Sequence, residues 1–243
     1  MKKAFIADID DTVCPSTRPM SLDMAAEIER IVRGGRIFAF ISGSTVSQIS
    51  AQITPFLAVP HHLLGVSGGH YVEVSFQEGR PVPKEILRRD FAAEEKASVL
   101  AAFERLIARH GIRSQTTRDD QLQDRGAQIT LSAIGRNAEE GAKRAFDPDG
   151  SLRDAWIKEL VQELGAAYNI RRGGTSSIDI TPAGVDKEWG IRRFLEHTAL
   201  KPEDALFFGD NLQDGGNDSP ARRVVDCVAV RDPRHTLRLL QTY

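Results

Sequence analysis

Cysteine is scarce: Cys14 and Cys227 are the only two in 243 residues. Two thiols cannot build the disulfide framework of a small secreted domain, and they fit a reducing, cytoplasmic setting. Long apolar runs are also missing. None approaches the roughly 18–20 residues that a spanning helix needs, so no membrane segment is expected. Nor is there an excess of one charge. The 32 Lys+Arg stand against 34 Asp+Glu, a formal net charge of -2, which makes no general case for a nucleic-acid surface. The N-terminal stretch has a signal-like start, but Asp8 and Asp10 interrupt any apolar core, so export is not expected. Internal repeats and low-complexity tracts are absent. What remains is an ordinary globular composition, 41% hydrophobic and 27% charged, which rules out fibrous and disordered classes. The length suits one large domain or two modest ones.

The pattern along the chain favours two. Ala4 to Ile9 is short, apolar and ends in carboxylates, the mark of a buried strand with something polar at its C-terminal end. Ser21 is placed to N-cap a helix reaching about Val32, stopped by Gly34-Gly35. Arg36 to Ile41 predicts a second buried strand, and Ser42-Gly43-Ser44-Thr45 a turn that opens another helix. This alternation predicts a doubly wound, mostly parallel α/β sheet. The middle differs: a long helix near 92–110, a strand at Ala127–Ala133 with alternating polarity, a helix near 152–164, and a second alternating strand at Ser176–Thr181. These predict a small α+β module. From about Asp186 the first style returns, with a helix, the strand Ala205–Phe208, the strand Asp226–Val230 and a last helix. The expected division is therefore a split α/β core of residues 1–83 and 185–243, interrupted by an inserted α+β module of residues 84–184.

Chemistry gathers at strand ends. Asp8 and Asp10 alternate on extended chain and so share a face. Two close carboxylates repel unless a cation or proton lies between them. Asp-x-Asp alone is as well explained by ordinary turn chemistry. The segment from Gly209 to Asp218 shifts that balance, because Asp210 also follows a buried strand, and parallel sheets collect ligands at strand C-termini. Asp8, Asp10 and Asp210 are thus candidate oxygen ligands for Mg²⁺. Lys187 opens a helix after the insert, where it is placed to neutralise carboxylate or phosphate charge. Ser42 and Ser44 sit where a strand passes into a helix, a position that suits a phosphate oxygen or simple N-capping.

These residues, in this order, resemble the motifs of the haloacid dehalogenase (HAD) superfamily: Asp8-x-Asp10-x-Thr12, the serine after the second strand, Lys187, and Gly209-Asp210 with Asn217-Asp218. The closer resemblance is to the eukaryotic-type α-phosphomannomutases, and it extends over almost the whole chain. Phe207-Phe208-Gly209-Asp210 and Gly215-Gly216-Asn217-Asp218 are similar to that family's metal loop. Ser132-Ala133-Ile134-Gly135-Arg136 resembles its cap motif, and Gly173-Gly174 through Ser177-Ile178-Asp179 to Lys187 resembles the segment that re-enters the core.

The resemblance implies a type IIB cap domain and residue-specific roles. Asp8 would be the nucleophile and Asp10 the general acid/base. Arg18, Arg125 and Arg136 would bind substrate, with Lys143, or its neighbour Arg144, as a third cap cation. Ser177 and Asp179 would contact the sugar, and either Ser42 or Ser44 a phosphate. Asp11 stands where the family has Gly, and Ala133 where it has Pro. The implied activity is Mg²⁺-dependent phosphoryl transfer on a phosphosugar through an aspartyl-phosphate, interconverting hexose 6-phosphate and hexose 1-phosphate. A hexose bisphosphate activator and a cap-mediated homodimer are implied as well. A sugar-phosphate phosphatase with the same core is the rival enzyme, and a metal-dependent binding protein the rival of another class, since fold does not fix function.

Overall fold

The structure is a computed structural model that describes residues 2–16 and 18–243. It divides into two compact units, one running through Arg88 and resuming at Asp186–Tyr243, the other Arg89–Val185. In chain order the elements are β1 (Ala4–Ala7), α1 (Leu22–Arg33), β2 (Ile37–Ile41), α2 (Val46–Ile53), β3 (His61–Gly65), β4 (His70–Gln77), β5 (Arg80–Arg88), α3 (Ala93–His110), α4 (Arg118–Gln121), β6 (Leu122–Asp124), β7 (Ile129–Ser132), α5 (Glu140–Phe146), α6 (Ser151–Leu164), β8 (Tyr168–Gly173), β9 (Ser177–Pro182), α7 (Lys187–His197), β10 (Ala205–Gly209), β11 (Asp226–Ala229) and α8 (Pro233–Leu240).

The first unit is built on a seven-stranded sheet in the order β11-β10-β1-β2-β3-β4-β5. The pairs from β11 to β3 are parallel, and β4 and β5 join antiparallel at one edge. Both faces of β1 are buried, so its sequence is apolar throughout rather than alternating. Phe5 and Ala7 face one core with Phe38, Phe40, Met24, Ile28 and Ile49, under α1 and α2. Ala4 and Ile6 face the other, with Ile191 and Phe194 of α7. This is the doubly wound α/β arrangement expected from the alternation of elements.

Ser21 caps α1 by accepting the Met24 N–H, and Thr45 opens α2 with a reciprocal capping box to Gln48. The expected boundary near residue 83 falls inside β5, which pairs with β4 through Arg88. Pro81 and Pro83 mimic a linker in the sequence. Both are tolerated because β5 is an edge strand, where a missing N–H costs no ladder bond to a further neighbour. Glu78 and Gly79, both at positive φ, close the hairpin.

The second unit has an antiparallel sheet in the order β6-β7-β9-β8. One face is apolar: Ile129, Leu131, Ile178 and Ile180 pack with Val99, Phe103 and Leu106 of α3 and Trp156 and Leu160 of α6. The opposite face is polar, with Thr130 paired to Asp179 and Ser132 to Ser177. Arg153 is buried in α6. It donates to Asp147 at 2.7 Å and to the carbonyl of Gly174 at 2.9 Å, which fastens the turn between β8 and β9.

Candidate active site

Four side chains meet at the C-terminal edge of the parallel sheet. Asp8 follows β1, its amide donating to the Phe208 carbonyl of β10 at 2.9 Å. Lys187 is the first residue of α7, and Asp186 caps that helix by accepting the Trp189 N–H. The Lys187 ammonium donates to the carboxylates of both Asp8 and Asp218. All three side chains are buried. Asp218 comes from the Gly-rich loop after β10, and its other oxygen accepts the Asn211 N–H at 3.0 Å. Gly209 makes room for it: a Cβ there would lie 2.4 Å from Asp218 Oδ2. Asp210, exposed at the strand end, accepts from the Thr12 hydroxyl at 3.4 Å.

One oxygen from each of Asp8, Asp210 and Asp218 falls within 4.8 Å of the others, the one such acidic group among the described residues. Burial pushes the Asp8 carboxyl well above its ordinary range. The Lys187 ammonium opposes this, while Asp218 and Asp210 add like-charge repulsion. Asp210 is raised as well, first by burial and then by Asp218. Burial works against the Lys187 ammonium, yet its two carboxylate partners together outweigh burial and hold it protonated. Hard oxygen donors that repel one another, with one member open to solvent, suit a small divalent cation such as Mg²⁺.

Asp10 lies outside that trio. It is half-buried and bridges through its backbone to Cys14. Between them the chain makes a tight turn in which Asp11 sits at φ +59° and its carboxylate accepts the Ser16 N–H at 3.2 Å. Asp218 is the residue that sequence reasoning quoted in a motif without giving it a role. Its place behind Lys187 depends on how the Gly-rich loop folds back, which spacing alone does not reveal.

Ser42 and Ser44 follow β2, the strand beside β1. Ser42 is buried, and its hydroxyl oxygen accepts the Ser44 N–H at 3.1 Å. Their backbone carbonyls take the N–H groups of Ser67 and Val66, both at 2.8 Å. Val66, Ser67 and Gly68 all have positive φ, a costly conformation for a β-branched residue. Arg18 is exposed in the loop after β1, where its carbonyl accepts from Gln52 at 3.3 Å.

The remaining candidates lie on the second unit. Asp179 accepts from the Thr130 hydroxyl at 2.7 Å. Its carboxyl is raised by burial, against the lowering effects of Arg125 and of hydrogen bonds. Its carboxylate leans over Gly173, where a Cβ would lie 2.3 Å from Oδ2. Ser177 and Ser132 share a hydroxyl contact of 3.1 Å. Arg125 donates to Gln123 at 2.6 Å. Burial lowers the pKa of its guanidinium, Asp179 raises it, and Arg136 lowers it further. Arg125 therefore feels both Asp179 and Arg136. Arg136 is exposed just past the end of β7. Lys143 lies on α5 and donates to the Arg136 carbonyl at 3.3 Å, whereas Arg144 pairs with Glu140 of its own helix.

Residues 25–242 match the family model described as eukaryotic phosphomannomutase. A phosphomannomutase of Encephalitozoon cuniculi is 26% identical over 249 residues, covering 98% of this chain and 91% of that protein. One of Spinacia oleracea is 25% identical over 228 residues, covering 89% of this chain and 86% of that one. Among solved structures, an N-terminally truncated, IMP-bound Plasmodium falciparum IMP-nucleotidase superposes with a TM-score of 0.76 at 13% identity, over 99% of this chain and 68% of that one. A haloacid dehalogenase-like hydrolase from Bacteroides thetaiotaomicron gives 0.64 at 14% identity, over 100% and 98%. These structural likenesses establish the shared fold. The family match covers most of the chain: this protein is an enzyme of HAD-type fold that belongs to the eukaryotic phosphomannomutase family.

Proposed function

We propose that the protein transfers phosphoryl groups on a sugar phosphate through a covalent phospho-Asp8, interconverting hexose 6-phosphate and hexose 1-phosphate. The observation that carries this reading is the buried Lys187 joined to both Asp8 and Asp218 beside Asp210. A nucleophile needs one carboxylate kept ionised and oriented at a strand end. Lys187 orients Asp8 and works against the burial that raises its carboxyl, and Asp218 holds Lys187 in place and charged. Asp8, Asp210 and Asp218 would hold Mg²⁺, with Asp10 as a further candidate. Bound there, Mg²⁺ supplies charge neutralisation for the transferring phosphoryl oxygens.

In the forward step a carboxylate oxygen of Asp8 bonds to phosphorus, and the bond from phosphorus to the sugar oxygen breaks. Asp10 gives its proton to that departing oxygen and then takes one from the next acceptor hydroxyl. Ser42 or Ser44 would orient the phosphoryl group from the end of β2. Arg18 would contact substrate from the loop after β1. Arg125 and Arg136, with Lys143 on α5, would hold the distal phosphate of a bisphosphate intermediate, since a bidentate guanidinium suits phosphate. Ser177 and Asp179 would take sugar hydroxyls. Transfer to sugar rather than to water requires that water be kept from phospho-Asp8. The two free thiols support a reducing, cytoplasmic setting, and a homodimer formed through the inserted unit belongs to the same reading.

The experiment is a paired assay on mannose 1-phosphate and glucose 1-phosphate with Mg²⁺ and a hexose 1,6-bisphosphate activator. The proposal expects hexose 6-phosphate as product. Release of inorganic phosphate with no 6-phosphate would make the enzyme a sugar-phosphate phosphatase instead.

A further inference from the structure

We propose that Arg223 is a positioning residue of the phosphoryl-transfer centre, a cross-tie that holds the start of α7 to the Gly-rich loop so that Lys187 and Asp218 meet. This rests on the functional reading above and extends it to a residue that no motif marks.

Lys187 and Asp218 reach each other from two separate segments. Lys187 is the first residue of α7, and Asp218 is the N-cap of a short 3₁₀ helix, Ser219–Arg223, that follows the Gly-rich loop. The Lys187 ammonium donates to Asp218, so a small shift between the two segments is felt directly at the buried pair. Apolar packing brings the segments together: Ala221, Val224 and Val225 share one core with Ile191, Phe194 and Leu195 of α7. Such packing is non-directional, so it resists separation of the segments more than sliding of one along the other.

Arg223 supplies the direction. It ends the 3₁₀ helix and reaches the two acidic residues that flank Lys187. Its Nε donates to the Glu188 carboxylate, and its Nη2 donates to Asp186 Oδ2 at 3.3 Å. The other oxygen of Asp186 accepts the Trp189 N–H at 3.1 Å, the cap of α7. One carboxylate thus fastens the first turn of α7 on one side and the 3₁₀ helix on the other. A planar guanidinium presents its donors in a fixed fork, so two contacts fix orientation as well as distance. The hydrogen bond from Arg223 is the largest influence on Glu188, whose carboxyl is held below its ordinary range against burial, with help from Arg192. Arg192 also pairs with Glu188, at 3.0 Å, but from one turn further along the same helix, so it ties α7 only to itself. The Arg223 side chain is 56% exposed, and exposed ion pairs add little to folding stability. Their effect here is on placement. A misplacement of about 1 Å at a reacting centre costs on the order of a hundredfold in rate, and a partial loss of alignment costs less.

The test follows phosphoryl transfer from glucose 1,6-bisphosphate to Asp8 in the full chain with saturating Mg²⁺, beside steady-state kcat and KM with glucose 1-phosphate. Arg223→Gln is expected to slow both transfer and kcat by about threefold to tenfold, the range that two exposed ion pairs carry, with KM and melting temperature near the wild-type values. Arg223→Lys, which keeps the charge but not the fork, should recover part of the rate. Arg192→Gln, which removes the contact within α7, should leave the rate unchanged. Raising salt from about 0.01 M to about 1 M shortens the screening length from about 30 Å to about 3 Å, so the gap between wild type and Arg223→Gln should close. Equal rates for the two at low salt would overturn the proposal and leave the functional reading intact. A loss in Arg223→Gln that follows a lowered melting temperature and ignores salt would do the same, because it marks a structural role. So would an equal loss in Arg192→Gln, because the charge on Glu188 would then matter and the cross-tie would not. A wild type that takes no phosphoryl group onto Asp8 would overturn both readings.

Discussion

At the scale of single residues, the centre is a problem of charge burial. Lys187 is 2% exposed and Asp218 0%, and neither would be tolerated there without the other, because removing one partner of a buried pair strands a charge. Asp218→Asn is therefore expected to lower both activity and melting temperature, whereas Asp8→Asn is expected to cost roughly a thousandfold or more in turnover; steady-state kinetics beside thermal melts separates the two. A second residue-scale prediction concerns His62, which is buried against Phe194 and lies 2.9 Å from the Tyr71 hydroxyl. Burial lowers its pKa to about 4, with Glu73 opposing and His197 and His61 assisting. His61 is lowered in the same direction. A histidine depressed on folding binds protons more readily in the unfolded chain. Stability is thus full above about pH 6.5 and falls as pH drops toward 4, by about 3 kcal/mol for His62. Urea melts at pH 7 and pH 5 should differ in the wild type and differ less in His62→Gln; equal midpoints in the wild type would contradict the assignment. The positions of Asp8 and Asp210 at strand ends and of Lys187 at a helix start could be read from the sequence. The partnership of Asp218 with Lys187 could not, because it depends on a loop folding back and on the bare Gly209 that gives the carboxylate room.

At the scale of elements, α7 is the piece that must be placed well, since it starts with Lys187. It is seated by a close approach: a Cβ on Gly190 would lie 2.8 Å from Gly68 Cα and 2.9 Å from both the Ser67 carbonyl oxygen and Ile41 Cδ1. Helix propensity alone favours alanine over glycine by about 1 kcal/mol. The overpacking at this contact costs about 1–3 kcal/mol, so the contact wins. Gly190→Ala is predicted to destabilise the fold and reduce turnover, as judged by melting temperature and kcat; a stabilised, fully active variant would show that α7 is not seated there. Helices α1, α3, α6 and α7 and the buried strands β1, β2 and β10 were legible because their patterns are clean, whereas the buried β3, which opens on His61 and His62, was not. The β4–β5 hairpin was not, because Pro81 and Pro83 imitate a linker and only the edge position of β5 makes them acceptable. β8 was hidden for a related reason: it is half-buried for most of its length, and Arg171 and Arg172 in succession blur its alternation.

At the scale of the whole molecule, each unit has its own apolar core, two clusters on the faces of the large sheet and one beneath the small sheet. Residues 89–185, expressed alone, are predicted to melt cooperatively with mixed helix and strand circular dichroism; a non-cooperative, molten trace would contradict an independent core. The near-balance of charge also conceals segregation. Carboxylates gather at the strand ends of the large sheet, while in the other unit Arg125 feels both Asp179 and Arg136. Mg²⁺ in excess should therefore raise the melting temperature of the intact protein, by an amount equivalent to about 2.7 kcal/mol at a hundredfold over its Kd. EDTA should reverse the gain and Asp210→Asn should diminish it.

The most direct measurement is acid-quench peptide mapping after brief incubation with glucose 1,6-bisphosphate and Mg²⁺. The account predicts one phosphoryl group on the peptide that contains Asp8, labile to hydroxylamine as an acyl phosphate is, and absent from Asp8→Asn. A phosphoryl group on any other residue, or none while product accumulates, would contradict it.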